Sequence, residues 1–282
     1  MILRARFLPG FLAGALCVIS VPASTQSTPP AGEIKGTAWQ HTAASLAASV
    51  ADGTLVLPAA ATGKGVYSGK FKDAPSVNGR FPVVIFLHGS SGLGLKAIGE
   101  WQLWLASLGV ASLAPDSFVL PDRITYTSPI DKATYEKIHA LRGSEIDAAL
   151  AALAKQPWVD PARIALAGTS EGSVAVARYT GKDFAGRIVY SWSCESNYFV
   201  TEPKNGFESD KPVLNVISSV DPFFSSANPW LGNPAGKGHC AEALKDNKKA
   251  TIVLIPGAPH TVINLPQARS ATVAFVAEVL KP

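Results

Sequence analysis

Gly168-Thr169-Ser170-Glu171-Gly172 fits the pattern Gly-x-Ser-x-Gly. Five residues alone are a weak signal, but their surroundings are specific. The apolar run Ile164-Ala165-Leu166-Ala167 reads as a strand before them, and a helix rich in small residues follows. A strand that turns sharply into a helix holds a serine with its Oγ exposed, and the flanking glycines leave room for the close approach. The helix N-terminus adds partial positive charge beside a reacting carbonyl. Ser170 is therefore the candidate nucleophile.

A serine hydroxyl is a poor nucleophile at neutral pH and needs a base, itself oriented by an acid. Of five histidines, His260 follows the last expected strand, in Pro256-Gly257-Ala258-Pro259-His260. His239, in a Gly-rich loop, is the alternative base. His139 opens an expected helix and reads as a surface residue. For the acid, Asp221 ends the expected strand 213–218 and lies between serine and histidine in the chain, the expected order. Glu195 follows the preceding strand and is the alternative. Asp116 also ends a strand but precedes the serine, and reads as a turn residue. A tetrahedral intermediate would need two preorganised donors. Expected are the backbone N–H groups of Glu171 and of Ser90, the latter in His88-Gly89-Ser90-Ser91-Gly92.

Strand-like and helix-like segments alternate from about residue 64. Strands are expected at 65–71, 82–87, 110–114, 163–167, 187–192, 213–218 and 251–255. Helices are expected at 100–108, 138–153, 170–179, 241–245 and 266–280. Residues 117–137 read as a loop insertion, with Arg123 as a surface arginine, the alternative being a partner for a substrate carboxylate. Continuous apolar strands alternating with helices imply an α/β fold with a mostly parallel sheet and helices on both faces. Ligands bind such sheets at the carboxyl ends of the strands, where Ser170, Asp221 and His260 all fall. Trp192, Tyr198, Phe199, Phe223, Phe224 and Trp230 also follow strands and could line a pocket or fill the core.

With these residues placed, the chain resembles the α/β-hydrolase superfamily, and within it the dienelactone hydrolase-like branch. The resemblance runs from roughly 65 to 282. It is carried by 83–92, by Leu113-Ala114-Pro115-Asp116-Ser117-Phe118, and by 142–172 with the turn Pro157-Trp158-Val159-Asp160-Pro161. It implies hydrolysis of a small-molecule carboxylic ester through an acyl-enzyme, without metal or organic cofactor. The branch's namesakes use a cysteine nucleophile where Ser170 stands, which favours a serine esterase over a dienelactone hydrolase. Ser173 stands where a second glycine is frequent. A peptidase or amidase with the same residues, and a non-catalytic binding protein on this fold, are the other readings.

Of the 282 residues, 47% are hydrophobic and 16% charged, enough apolar material for one sizeable core. Formal net charge is +4, two units of it from Arg4 and Arg6, and no basic cluster suggests nucleic acid. Residues 1–23 are expected to be a signal peptide: a basic start, an apolar run shorter than a membrane span, and small residues at Val21-Pro22-Ala23. A flexible leader at 24–32 and one domain at 33–282 would follow. The mature protein would be exported, without stable membrane association. Cys194 and Cys240 then read as a disulfide.

Overall fold

Phe81-Pro82-Val83-Val84-Ile85-Phe86-Leu87 is apolar throughout, so a strand there must be covered on both faces. In the computed structural model, which describes residues 29–281, this is β4 of sixteen strands and α-helices. Around it, in chain order, lie β1 (Ile34–Lys35), α1 (Ala43–Ala51), β2 (Thr54–Leu57), α2 (Ala59–Thr62) and β3 (Tyr67–Lys70). After β4 (Phe81–Leu87) come α3 (Lys96–Ser107), β5 (Ala111–Ala114), β6 (Thr125–Tyr126), α4 (Lys132–Leu153) and β7 (Val159–Thr169). The chain continues through α5 (Glu171–Arg178), β8 (Gly186–Tyr190), β9 (Val213–Ser218), β10 (Ala250–Ile255) and α6 (Pro266–Val279). The signal peptide expected at 1–23, and most of the leader, lie outside the described residues.

Eight strands form one sheet in the order β10-β9-β8-β7-β4-β5-β2-β3. The six from β10 to β5 run parallel, and β2 is antiparallel to both β3 and β5. Successive side chains of β4 alternate between the faces, as strand geometry requires. Val83, Ile85 and Leu87 pack with Ile146, Ala149 and Leu153 of α4 and with Val174 and Val176 of α5. Val84 and Phe86 pack with Ile98, Trp101 and Leu105 of α3 and with Phe275 and Val276 of α6. The expected α/β architecture is thus present, with an antiparallel edge that the sequence reading did not anticipate.

Three expectations change. The segment 241–245 forms turns and no regular helix. The Leu244 N–H is shared between the Cys240 and Ala241 carbonyls at 3.0 and 3.3 Å, a single turn that is not continued into a second. Helix α4 begins at Lys132, because the Asp131 carboxylate caps it by accepting from the Thr134 N–H at 2.8 Å. His139 therefore lies within the helix, and it is buried. The insertion 117–137 is not free-standing: β1 and β6 pair antiparallel, and Arg123 is buried beneath it.

The Cys194–Cys240 disulfide is formed, with the Cα atoms 4.8 Å apart. It ties the end of β8 to the segment after β9 across a separation of 46 residues. Loop-closure entropy in the unfolded chain makes that worth at most about 4 kcal/mol.

His139 carries a pH prediction. Its ring stacks on Tyr135 and meets Phe199 edge-on, with centroids 6.2 and 4.8 Å away. Burial, helped by the nearby Arg178 charge, pushes its pKa from 6.5 down to about 4. The folded state keeps the ring neutral where the unfolded chain would bind a proton. This stabilisation is complete above pH 6.5 and is lost as pH falls toward 4, by about 3 kcal/mol for this one group. Urea denaturation at stepped pH should show that decline, and His139→Phe should flatten it. An unchanged acid limb in the variant would remove His139 as its cause.

Candidate active site

Ser170 sits between β7 and α5 with φ 54° and ψ −121°, a conformation that non-glycine residues rarely adopt. The neighbouring glycines make it possible. A Cβ on Gly168 would lie 2.8 Å from the Gly172 carbonyl carbon, and one on Gly172 would overlap the Leu87 and His88 carbonyl oxygens. Ser173 uses its hydroxyl in the same cramped space. It lies within hydrogen-bond distance of the carbonyls of Gly168 (2.6 Å) and Tyr190 (2.7 Å) and shares its one proton between them, joining the ends of β7 and β8.

His260 and Ser170 line one cavity of about 130 Å³, together with Gly89, Ser90 and Thr169. The histidine loop is pinned from below by two strand-end serines. Ser191 donates to the His260 carbonyl at 2.5 Å, and Ser218 donates to the Ala258 carbonyl at 2.6 Å. Asp221 is fully buried. One carboxylate oxygen accepts from the N–H groups of Phe223 (2.9 Å) and Phe224 (3.1 Å), and the other lies 2.8 Å from His260 Nδ1. An ionised carboxylate can only accept, so Nδ1 carries the proton and Nε2 keeps a free lone pair. Phe223 packs edge-on against the imidazole, 4.7 Å between centroids, and confines its rotation.

The alternatives fall elsewhere. Glu195 accepts from the N–H groups of Lys237 (2.7 Å) and Gly238 (2.9 Å). His239 Nδ1 accepts from the Ala241 N–H at 3.2 Å. Asp116 closes a turn by accepting from the Phe118 N–H at 2.9 Å.

Beneath the loop that carries Ser90 lies a buried polar network. His88 Nε2 accepts from Arg142 Nη1 (2.9 Å) and from the Ser117 N–H (3.2 Å), so its Nδ1 donates to the Gly89 carbonyl at 2.7 Å. Burial, then the Arg142 charge, holds the ring's pKa well below 6.5, so this tautomer is fixed. Arg142 also pairs with Glu145 at 3.2 Å, and Glu145 meets His41 at 3.1 Å. The Glu171 carboxylate accepts from Arg123 (2.7 Å) and from the Tyr126 hydroxyl (2.9 Å). Arg123, expected at the surface, is thus the counter-charge to a carboxylate one residue after Ser170. Unpaired, that buried carboxylate would be costly, and its negative charge would stand beside the site.

Sequence reasoning missed Arg142, Glu145, His41 and Tyr126. A signal was present. Arg142 and Glu145 are an i,i+3 pair of opposite charge interrupting the apolar face of Ile138, Leu141, Ile146 and Ala149. Of the aromatic candidates, Tyr198, Phe199, Phe223 and Phe224 line the cavity. Trp192 is wholly buried, and Trp230 packs against Tyr198 with centroids 4.5 Å apart. Among the described residues no cluster of histidine, cysteine or carboxylate side chains could hold a metal ion, and no helix is long and apolar enough to cross a membrane.

No family model matches the chain, and no curated protein matches it in sequence. Solved structures do match its fold. Esterase PE8 aligns with a TM-score of 0.52 at 21% identity, covering 81% of this chain and 99% of its own. A dienelactone hydrolase-like promiscuous phosphotriesterase from metagenomic libraries aligns at 0.51 and 18% identity, covering 77% and 91%. A Klebsiella pneumoniae protein assigned as a dienelactone hydrolase aligns at 0.51 and 18%, covering 72% and 88%. At such identities the likeness is one of fold, and the chemistry rests on the residues of this chain.

Proposed function

On the α/β-hydrolase fold, which this chain shares with dienelactone hydrolase-like structures, we propose that the protein is a serine hydrolase cleaving small carboxylic esters. The observation that carries this reading is the 2.8 Å contact between buried Asp221 and His260 Nδ1, on a cavity whose wall also holds Ser170. Asp221 keeps the imidazole in the tautomer whose Nε2 can take a proton. His260 removes the proton from Ser170 Oγ as the oxygen attacks the ester carbonyl. The N–H groups of Ser90 and Glu171 stabilise the resulting oxyanion. As the tetrahedral intermediate collapses, the C–O bond to the leaving group breaks and His260 gives its proton to the departing alcohol. Water, deprotonated by His260, then attacks the acyl-enzyme, and the same steps in reverse release the acid and free Ser170.

The Arg123–Glu171 pair supports the oxyanion step indirectly. It neutralises a carboxylate that would oppose the developing negative charge, and it fixes the residue whose N–H donates. The cavity volume supports a compact substrate. An engineered cavity of about 150 Å³ in another protein holds one benzene ring, so about 130 Å³ fits a short acyl chain or a single ring. Export to an oxidising compartment is the setting we assign, supported by the Cys194–Cys240 bridge.

Turnover of phenyl acetate and of acetanilide tests the reaction class. The ester should be cleaved and the anilide should react at least about 10³-fold more slowly. The reverse order would make the protein an amidase, and loss of neither substrate would leave a binding protein on a hydrolase fold.

A further inference from the structure

Four hydroxyl groups stand on or just behind the wall of the cavity that Ser170 lines, and their hydrogen bonds can be followed one by one. Tyr126 Oη is committed, donating to Glu171 at 2.9 Å. Tyr135 Oη accepts from the Ile130 N–H at 3.1 Å and spends its proton on Ser128 Oγ at 2.9 Å. Ser128 lines the cavity, and its own hydroxyl proton is left for the neighbouring Tyr198 Oη or for a ligand. Tyr198 lines it too and is 8% exposed, and its buried Oη has no partner among the described residues other than the neighbouring Ser128 hydroxyl. Burial pushes the Tyr198 pKa well up, so the phenol stays a neutral donor.

The Tyr198 ring is held in place. The Tyr198 ring meets Trp230 edge-on at 4.5 Å and stacks on Phe224 at 6.3 Å, and its backbone N–H donates to the Leu231 carbonyl at 2.9 Å. The loop that carries it starts at bridged Cys194. Beside these two hydroxyls the wall is aromatic, with Phe199, Phe223 and Phe224. Two neighbouring hydroxyls share one hydrogen bond and leave one proton unspent, and the aromatic wall around them offers it no acceptor besides what enters the cavity. Walls of this kind select a flat, ring-sized group, and the two hydroxyls select a polar atom on it.

We propose that Tyr198 and Ser128 form a specificity subsite for a hydroxyl group carried on the ring-sized half of the substrate ester. The subsite rests on the ester-hydrolase reading only for its catalytic consequence; its ligand contacts do not need Ser170. A site built to hydrogen-bond a substrate hydroxyl discriminates strongly against the analogue that lacks it, because its own polar groups are then left unpaired.

The test compares matched pairs with the ring on either side of the ester. Methyl 3- and 4-hydroxybenzoate are set against methyl benzoate, and 3- and 4-hydroxyphenyl acetate against phenyl acetate. In the wild-type protein at least one hydroxylated ester should exceed its parent in kcat/KM by about tenfold or more. Tyr198→Phe should bring that ratio to within about threefold. Ser128→Ala, which leaves the aromatic wall intact, should lower the same ratio. A ratio near one in the wild type, or one that survives both substitutions, overturns the subsite. Calorimetric binding to Ser170→Ala separates this from the reaction itself. Tighter binding of the hydroxylated ester, lost in the Ser170→Ala/Tyr198→Phe double variant, upholds the subsite even if no ester is turned over, and only the hydrolase reading would then fall.

Discussion

Ser170→Ala should lower kcat for phenyl acetate by between about 10³ and 10⁶, the span expected when a serine nucleophile is removed from an otherwise intact array. It should also abolish covalent labelling by a fluorophosphonate, read as a mass increase on the intact protein. The two readouts fail together only if Ser170 is the attacking group. The substitution is a clean one. Alanine removes a single oxygen and keeps a Cβ, and the positive φ of 54° is imposed by Gly168, Gly172 and the β7–α5 turn rather than by the hydroxyl. No hydrogen bond of the surrounding frame depends on that oxygen: the Ser170 N–H donates to the Tyr190 carbonyl at 3.0 Å, and Ser173 provides the side-chain bridge. Tm should therefore hold while activity falls. Labelling that persists in the variant would place the nucleophile elsewhere.

The parts of this fold legible in the sequence are those with a strong local signature. β4 is a continuous apolar run, Ile164-Ala165-Leu166-Ala167 marks the centre of β7, and β9 has the expected bounds of 213–218. The β7–α5 turn is marked by glycines whose need is steric and therefore visible in residue type. β3 falls within the strand expected at 65–71, but its partner β2 escaped because Thr54-Leu55-Val56-Leu57 is only four residues long, too short to tell from a piece of helix. α1 escaped because its start signal is a Thr42–Ser45 capping box in a segment without a strong apolar period. The buried network escaped for a different reason. Arg123, Arg142, Glu145 and Glu171 are charged, and charge alone reads as surface. Only tertiary pairing, between residues as far apart as Arg123 and Glu171, brings them together. Similarly, His139 reads as exposed until the register of α4 is fixed by its Asp131 cap.

Asp221→Asn should lower kcat by about 10⁴-fold, whereas Glu195→Gln should cost less than about tenfold. Both carboxylates follow strands and both precede His260 in the chain, so sequence order cannot separate them. Hydrogen bonding can. The Asp221 oxygens are divided between two backbone N–H groups and His260 Nδ1, at 2.9, 3.1 and 2.8 Å. The Glu195 oxygens are taken by the N–H groups of Lys237 and Gly238. An asparagine at 221 can keep its carbonyl oxygen toward the Phe223 and Phe224 N–H groups, which preserves the turn. Its amide nitrogen then faces His260 as a donor, so Nδ1 must become the acceptor and Nε2 must carry the proton. The imidazole is left in the tautomer that cannot deprotonate Ser170, and the imidazolium formed during attack loses its counter-charge. The loss should therefore appear in kcat with little change in KM. Glu195→Gln leaves one oxygen able to accept and turns the other acceptor into a donor, facing an N–H it cannot bond. That change loosens the Gly-rich loop at 236–238, a matter of stability rather than turnover. Urea midpoints for both variants, measured beside kcat, distinguish the two effects. A large kcat loss in Glu195→Gln with Asp221→Asn near wild type, both proteins folded, would transfer the acid's role to Glu195.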